Sequence, residues 1–273
     1  MHAMPDFGLI QYNLPYDDLE RFASYASGAG FGFVELPVGR FWNEADSDTD
    51  ALAHARAVRE LLSRHGLRIS AVSAGNDFLQ PDPTGLERQV QRLRRVCALA
   101  REAGTDLIRI DGGWSKDSVP QDRWRGLIVQ ALQAIRPFVE REGYTLALDN
   151  HGLVTNDADL EVSILSEVGS PRIGANVDTM NYRWAGHDLA TVNRFYHVIA
   201  PWARHVHIKD GRGSRGEYRG TVLGAGELDL ERALAELRAA GYAGVWTVEY
   251  EGPRAEAEDG YRRGLQWLKD RIR

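Results

Sequence analysis

The chain has 273 residues, of which 43% are hydrophobic and 26% charged, with a net charge of −6 and a single cysteine. This composition excludes disorder, collagen-like repeats and coiled coil, and the length suits one α/β barrel of about 250 residues whose core needs neither disulfide nor structural metal. The acidic balance argues against nucleic acid or a membrane surface as partner, and no apolar run approaches the roughly 18 residues that a membrane span requires.

Short β-type runs alternate with helix-period segments along the whole chain. The strands read as 7–11 (FGLIQ), 31–36 (FGFVEL), 67–73 (LRISAVS), 106–111 (DLIRID), 144–149 (YTLALD), 172–178 (RIGANVD), 203–209 (ARHVHIK) and 244–250 (GVWTVEY). Each carries β-branched or aromatic residues and is bounded by Gly, Pro, Asn or Asp. The helical stretches between them include 51–66, 84–104, 127–143, 228–241 and 260–272. The second of these opens with Thr84 and Glu87 at capping-box spacing, and the third contains Pro137, which is expected to kink it. Strands separated by helices pair in parallel, and eight such units in this length predict a closed (β/α)8 barrel forming one domain over 1–273. An open doubly wound sheet would show a Gly-rich turn after its first strand, where this chain has QYNLPYDDLE. Cys97, alone in an apolar helix, fits a reducing cytoplasm, and the start MHAMPDFGLIQ lacks the basic and apolar regions of a signal peptide.

In a barrel the site lies where the strands end. Strand two ends on Glu35, strand four delivers Arg109, Asp111 and Trp114, and strand five ends in Asp149, Asn150 and His151. Strand six ends in Asp178 and Asn181, strand seven carries His205, His207, Lys209 and Asp210, and strand eight brings Glu249 and Glu251. Four successive strands thus bring carboxylate, carboxylate, imidazole and carboxylate to one rim. Clustered carboxylates repel one another unless a cation compensates them, so the pattern predicts one divalent ion among Mn²⁺, Co²⁺, Mg²⁺ and Zn²⁺.

These motifs carry a family resemblance. DNHG at strand five, D-x-x-N at strand six, HVHIKD at strand seven, the following VLGAGELDL and VEYEG at strand eight resemble the xylose-isomerase-like barrel superfamily, in particular its sugar phosphate isomerase/epimerase proteins. VELPVG at strand two and the pair Asn76 and Asp77 after strand three extend the similarity over nearly the whole chain. The resemblance implies metal ligands at Asp149, Asp178, His207 and Glu249, with Mn²⁺ preferred. The second His of H-x-H matches the family's ligand, which selects His207 over His205. Two positions depart from the pattern: Asp149 stands where the strand-five ligand is usually Glu, and Asn181 where strand six often has His. Asn can bind a hydroxyl but cannot act as a base near neutral pH.

The implied activity is isomerisation or epimerisation of a sugar or polyol through an enediolate. Glu249 is the first candidate for proton transfer, with Asp149 or His151 as its partner. Glu35, Asn181, Lys209 and Trp114 are candidate substrate contacts, and Trp42 is a second aromatic face. Arg109 reads as an internal ion pair. The Gly-rich stretch 210–229, with Arg215 and Arg219, is long enough to cover the site. The alternative on the same ligands is a lyase or dehydratase acting on a keto-sugar or inosose, including C-glycoside cleavage. A metal-free Schiff-base chemistry at Lys209, a related nuclease activity and a non-catalytic sugar-binding barrel are weaker rivals. The nuclease would need further His ligands and a basic surface. No phosphate-binding motif is present, and the pattern leaves homo-oligomerisation open.

Overall fold

The computed structural model describes residues 6–272, so the reading of a missing signal-peptide start falls partly outside it. Eight parallel strands close into a barrel. They are β1 (Phe7–Ile10), β2 (Phe33–Pro37), β3 (Arg68–Ser73), β4 (Leu107–Ile110), β5 (Thr145–Asp149), β6 (Ile173–Asp178), β7 (Ala203–Ile208) and, after an antiparallel hairpin of β8 (Asp210–Arg212) and β9 (Arg219–Thr221), β10 (Trp246–Val248). Going round the barrel the order is β1, β10, β7, β6, β5, β4, β3, β2, so every strand neighbours its sequence neighbours and the last barrel strand closes on the first. This is the (β/α)8 architecture expected from the alternation of elements.

The helices are α1 (Leu19–Ala29), α2 (Asp48–Arg64), α3 (Pro83–Ala103), α4 (Gln121–Glu142), α5 (Ala158–Val168), the single turn α6 (Asn181–Ala185), α7 (Leu189–Ile199), α8 (Leu230–Ala239) and α9 (Ala257–Arg271). Their starts are set by short polar side chains that accept an N–H of the first turn: Asp18, Ser47, Asp82, Asp157, Asp188 and Asp229. The cap of α3 is therefore Asp82, bonded to the Gly85 N–H with Pro83 in the first turn, and not Thr84. Glu87 bonds Gln91 one turn on instead of closing a capping box. Helix α4 runs through Pro137 and begins six residues earlier than the periodicity indicated.

Leu, Ile and Val from the strands and from the inner helix faces fill the layer between barrel and helices, with Phe22, Phe195, Tyr182, Tyr196 and Tyr261 as its bulkiest members. Inside the barrel the upper layer is polar, which is unusual where branched apolar residues normally dominate. Two register shifts in the ladder, between Val34 and Glu35 against β3 and between Ala175 and Asn176 against β7, lie at this level. Each such irregularity re-aims the side chain beside it. No helix among the described residues is long and apolar enough to cross a membrane.

Candidate active site

The register of the parallel ladder sets the site. Asp149 pairs with Asn176 across β5 and β6, Asp178 with His207 across β6 and β7, and Glu249 follows directly on β10 with its N–H on the Ile208 carbonyl. Alternation with period two points His205, His207 and Lys209 to one side, and Asn176 and Asp178 likewise.

The lower layer is an ion network. Glu35 has no exposed surface. Its Oε1 accepts from Arg109 Nε at 2.8 Å, and its Oε2 lies 2.8 Å from His205 Nε2 and 2.6 Å from His207 Nε2. Arg109 also donates to Asp149 Oδ2 at 2.5 Å and Ser73 Oγ at 2.8 Å, with Asp111 at 3.6 Å. Asn176 Nδ2 donates to Asp149 Oδ1 at 2.6 Å. Burial alone would raise the Glu35 carboxyl, but His207 and Arg109 hold it well below the carboxylate range. Burial opposes ionisation of Asp149 too, and Arg109, helped by His151, overrides it. Arg109 is the internal ion pair its sequence context suggested. Glu35, a candidate substrate contact in the sequence, is fully buried with both oxygens engaged by Arg109, His205 and His207.

Above this layer three donor atoms converge. His207 Nδ1 lies 3.1 Å from Glu249 Oε2 and 3.8 Å from Asp178 Oδ2, and all three lie within 4.8 Å of one another. Asp178 Oδ1 is fixed by the N–H groups of Met180 and Asn181 at 2.9 and 3.0 Å. Its Oδ2 is buried with no hydrogen-bond partner; Lys209 Nζ meets it at 2.9 Å as an ion pair that is not aligned for a hydrogen bond. The same ammonium lies 2.9 Å from Asn181 Oδ1, 3.3 Å from Glu249 Oε1 and 3.4 Å from Glu251 Oε2. Burial works against the charged lysine, but Asp178, Glu249 and Glu251 hold its pKa well above the usual value. That disfavours the neutral amine a Schiff base requires. Glu249 is held down to about 2 against the cost of burial, by Lys209 and His207.

An unpartnered buried carboxylate oxygen facing an imidazole nitrogen and a second carboxylate is a donor set that fits a divalent cation. Of the four expected ligands, the structure brings Asp178, His207 and Glu249 together. Asp149 does not join them; it groups with Asp111 and His151. His151 Nδ1 lies 3.4 Å from Asp149 Oδ2, and its ring stands edge-on to Trp114 with centroids 5.5 Å apart. Trp114 is 46% exposed at the mouth. Its backbone is held by Asp77, which accepts the Trp114 N–H at 3.2 Å and pairs with Lys116. Trp42, by contrast, is buried, with the Arg92 and Arg95 guanidinium groups 5.1 and 5.0 Å from its ring centroid.

The stretch 210–229 is a pinned wall. Its first part, 210–221, forms the β8–β9 hairpin, and the Asp210 carboxylate accepts from Gly211, Gly224 and Gly226 N–H groups at 2.8, 2.9 and 2.9 Å. A side chain at Gly226 would collide with that carboxylate, which explains the glycine. Glu227 pairs with Arg183 at 2.7 Å, while Arg215 and Arg219 stay exposed. Ser73, Asn176 and Tyr12 were not singled out from the sequence. Asn176 was findable, as a polar residue two before Asp178 inside an apolar strand. Ser73 carried no such signal. Tyr12, 50% exposed, feels the charges of Glu251 and Glu249.

Comparison with known proteins agrees with this architecture. The family model for the xylose isomerase-like TIM barrel matches residues 23–271. The chain is 25% identical to the L-ribulose-5-phosphate 3-epimerase UlaE of Salmonella paratyphi A, over 97% of this chain and 94% of the relative. Among solved structures it resembles a D-psicose 3-epimerase crystallised in the presence of D-fructose, with a TM-score of 0.77 and 14% identity over 98% of this chain and 99% of the other. It also resembles the IOLI protein with a bound zinc atom, with a TM-score of 0.76 and 16% identity over 98% of each chain.

Proposed function

Because the chain belongs to the xylose isomerase-like TIM barrel family, we propose that it is a divalent-metal-dependent isomerase or epimerase of a sugar or related polyol, working as one barrel domain in the cytoplasm with Mn²⁺ as its ion. The observation that carries this reading is the convergence of Asp178 Oδ2, His207 Nδ1 and Glu249 Oε2 within 4.8 Å of one another in a buried site. The similarity to a sugar epimerase over almost the full length supports the substrate class.

Asp178, His207 and Glu249 are the side chains that would hold the cation. When bound there it supplies Lewis acidity to a carbonyl oxygen and the adjacent hydroxyl. Glu249, ionised across the neutral range, takes the proton from the carbon between them, and the electron pair moves into the enediolate. His151, backed by Asp149, is the partner acid, and its contact with that carboxylate raises its pKa. It returns a proton to the opposite face in an epimerisation, or to the neighbouring carbon in an isomerisation. Lys209 and Asn181, bonded to each other, are the side chains that would meet a substrate hydroxyl, and Trp114 offers the exposed ring face at the mouth.

The test is NMR of the metal-loaded full chain in D₂O with a panel of ketoses, including psicose and fructose, and an inosose. Deuterium entering the carbon beside the carbonyl with conservation of the remaining mass supports the reading. Loss of water from the product transfers the same site to the lyase alternative. Absence of both exchange and stoichiometric metal overturns it.

A further inference from the structure

We infer that Asp149 does not ligate the cation: Arg109 and Asn176 withhold it, and the ion rests on three side chains, Asp178, His207 and Glu249. The inference rests on the metal-site reading above and changes its ligand count.

Both oxygens of Asp149 are already engaged, Oδ2 by the Arg109 guanidinium at 2.5 Å and Oδ1 by Asn176 Nδ2 at 2.6 Å. Arg109 cannot follow Asp149 toward an ion, because its other nitrogens are anchored to Glu35 and Ser73 at 2.8 Å each. If Asp149 swung away, a nearly buried guanidinium would lose its shortest partner, which is costly in an interior of low dielectric. Asp also reaches one methylene less far than Glu, and the ladder of β5 with β6 is continuous through Asp149 and Asn176, which holds the strand in place.

Charge balance points the same way. Clustered carboxylates call for a cation only where nothing else compensates them. Asp149 has Arg109. On the other side, Lys209 is the one lysine or arginine among the described residues that meets Asp178, Glu249 and Glu251, and it faces three carboxyl groups at once. That side, which His207 Nδ1 also faces, is where a cation has charge left to compensate. A three-ligand set leaves the ion one more open position than a four-ligand set, enough for two substrate oxygens and a water on a six-coordinate ion.

The experiment is Mn²⁺ titration of the full chain by calorimetry, with a crystal structure of the Mn²⁺-saturated protein as the second measurement. Asp149→Asn should leave the dissociation constant within about threefold of wild type, whereas Asp178→Asn and Glu249→Gln should each weaken it by at least about a hundredfold. In the crystal the Asp149 oxygens should remain on Arg109 and Asn176. A loss in Asp149→Asn equal to that in Glu249→Gln, at an unchanged unfolding temperature, overturns the inference. An Asp149 oxygen at a ligand distance of about 2.2 Å from the ion does so whatever the variant does. If wild type binds no Mn²⁺, Co²⁺, Mg²⁺ or Zn²⁺ at all, the metal reading falls first and takes this inference with it.

Discussion

Glu35 Oε2 lies 2.6 Å from Nε2 of His207, 172 positions away in sequence, and both residues are buried. The contact holds Nε2 against a carboxylate, so that Nδ1 is the ring nitrogen facing Asp178 and Glu249. A carboxylate behind a metal-binding imidazole fixes both ring orientation and basicity. Replacing Glu35 with Gln should weaken Mn²⁺ binding by about 10–100-fold without removing a ligand. Titration calorimetry reads the change, and an unaltered affinity would show that His207 is oriented by its strand alone.

Glu249→Gln keeps the side chain's shape and removes the base. Turnover in the D₂O exchange assay should fall below about a tenth of wild type, because a positioned general base typically contributes 10²–10⁴-fold. Activity retained above that level assigns proton transfer elsewhere.

Removing divalent ions should lower stability as well as activity. A ligand that binds only the folded state contributes about 4 kcal/mol at a thousandfold excess over its dissociation constant, which for a chain of this size is an unfolding-midpoint shift of about 8–16 °C. Differential scanning calorimetry with EDTA and then with excess Mn²⁺ measures it, and identical midpoints in the two conditions would count against a tight site.

A stability effect of pH is expected in α5. Glu161 of α5 is fully buried, with Oε2 accepting from Tyr182 at 2.7 Å and Oε1 unpartnered. Burial pushes its pKa well above the ordinary 4.5, with the charge of Asp149 adding to the effect and the Tyr182 hydrogen bond opposing it. A folded-state pKa raised in this way gives stability that is complete below 4.5 and is lost as pH rises through the folded value. Glu161→Gln removes that loss. Its unfolding midpoint should match wild type near pH 4 and exceed it increasingly toward pH 8. A gap that shrinks with rising pH would contradict the assignment.

Cys97 is a packing residue. It is buried in α3, and burial pushes its thiol up to about 12, so thiolate is scarce at neutral pH. The native protein should react with iodoacetamide far more slowly than the protein in guanidinium chloride. Equal rates would place the thiol at the surface.

The barrel was legible because its eight strands are separated by Gly and Asp punctuation and by amphipathic helices with clear period. The helices α1, α5 and α7 were less so. They are 11 residues each, and α5 and α7 carry β-branched residues at positions where a strand would carry them too. At the site, residue types at strand ends located Asp178, His207, Lys209 and Glu249 because parallel register forces equivalent positions onto one rim. The same logic included Asp149 with them, since position on a strand says nothing about which neighbour a carboxylate meets. The partners Asp149 meets are Arg109, which also binds Glu35 of β2 and Ser73 of β3, and Asn176 across one ladder. Pairings between side chains more than 25 positions apart have no trace in local pattern. The partners of Glu35 were hidden for the same reason: the arginine and the two histidines that engage its oxygens lie 74 to 172 positions away.

The interlock beneath the mouth has an evolutionary corollary. Glu35, Arg109, Asp149, His205 and His207 form a knot in which each member serves at least one other. A lone exchange at any of them strands a charge or a ring nitrogen in the interior. Divergence there must proceed by paired replacements, so new sugar preferences are more accessible through loop positions such as Tyr12, Trp114 and Leu153, which face solvent and can drift one at a time.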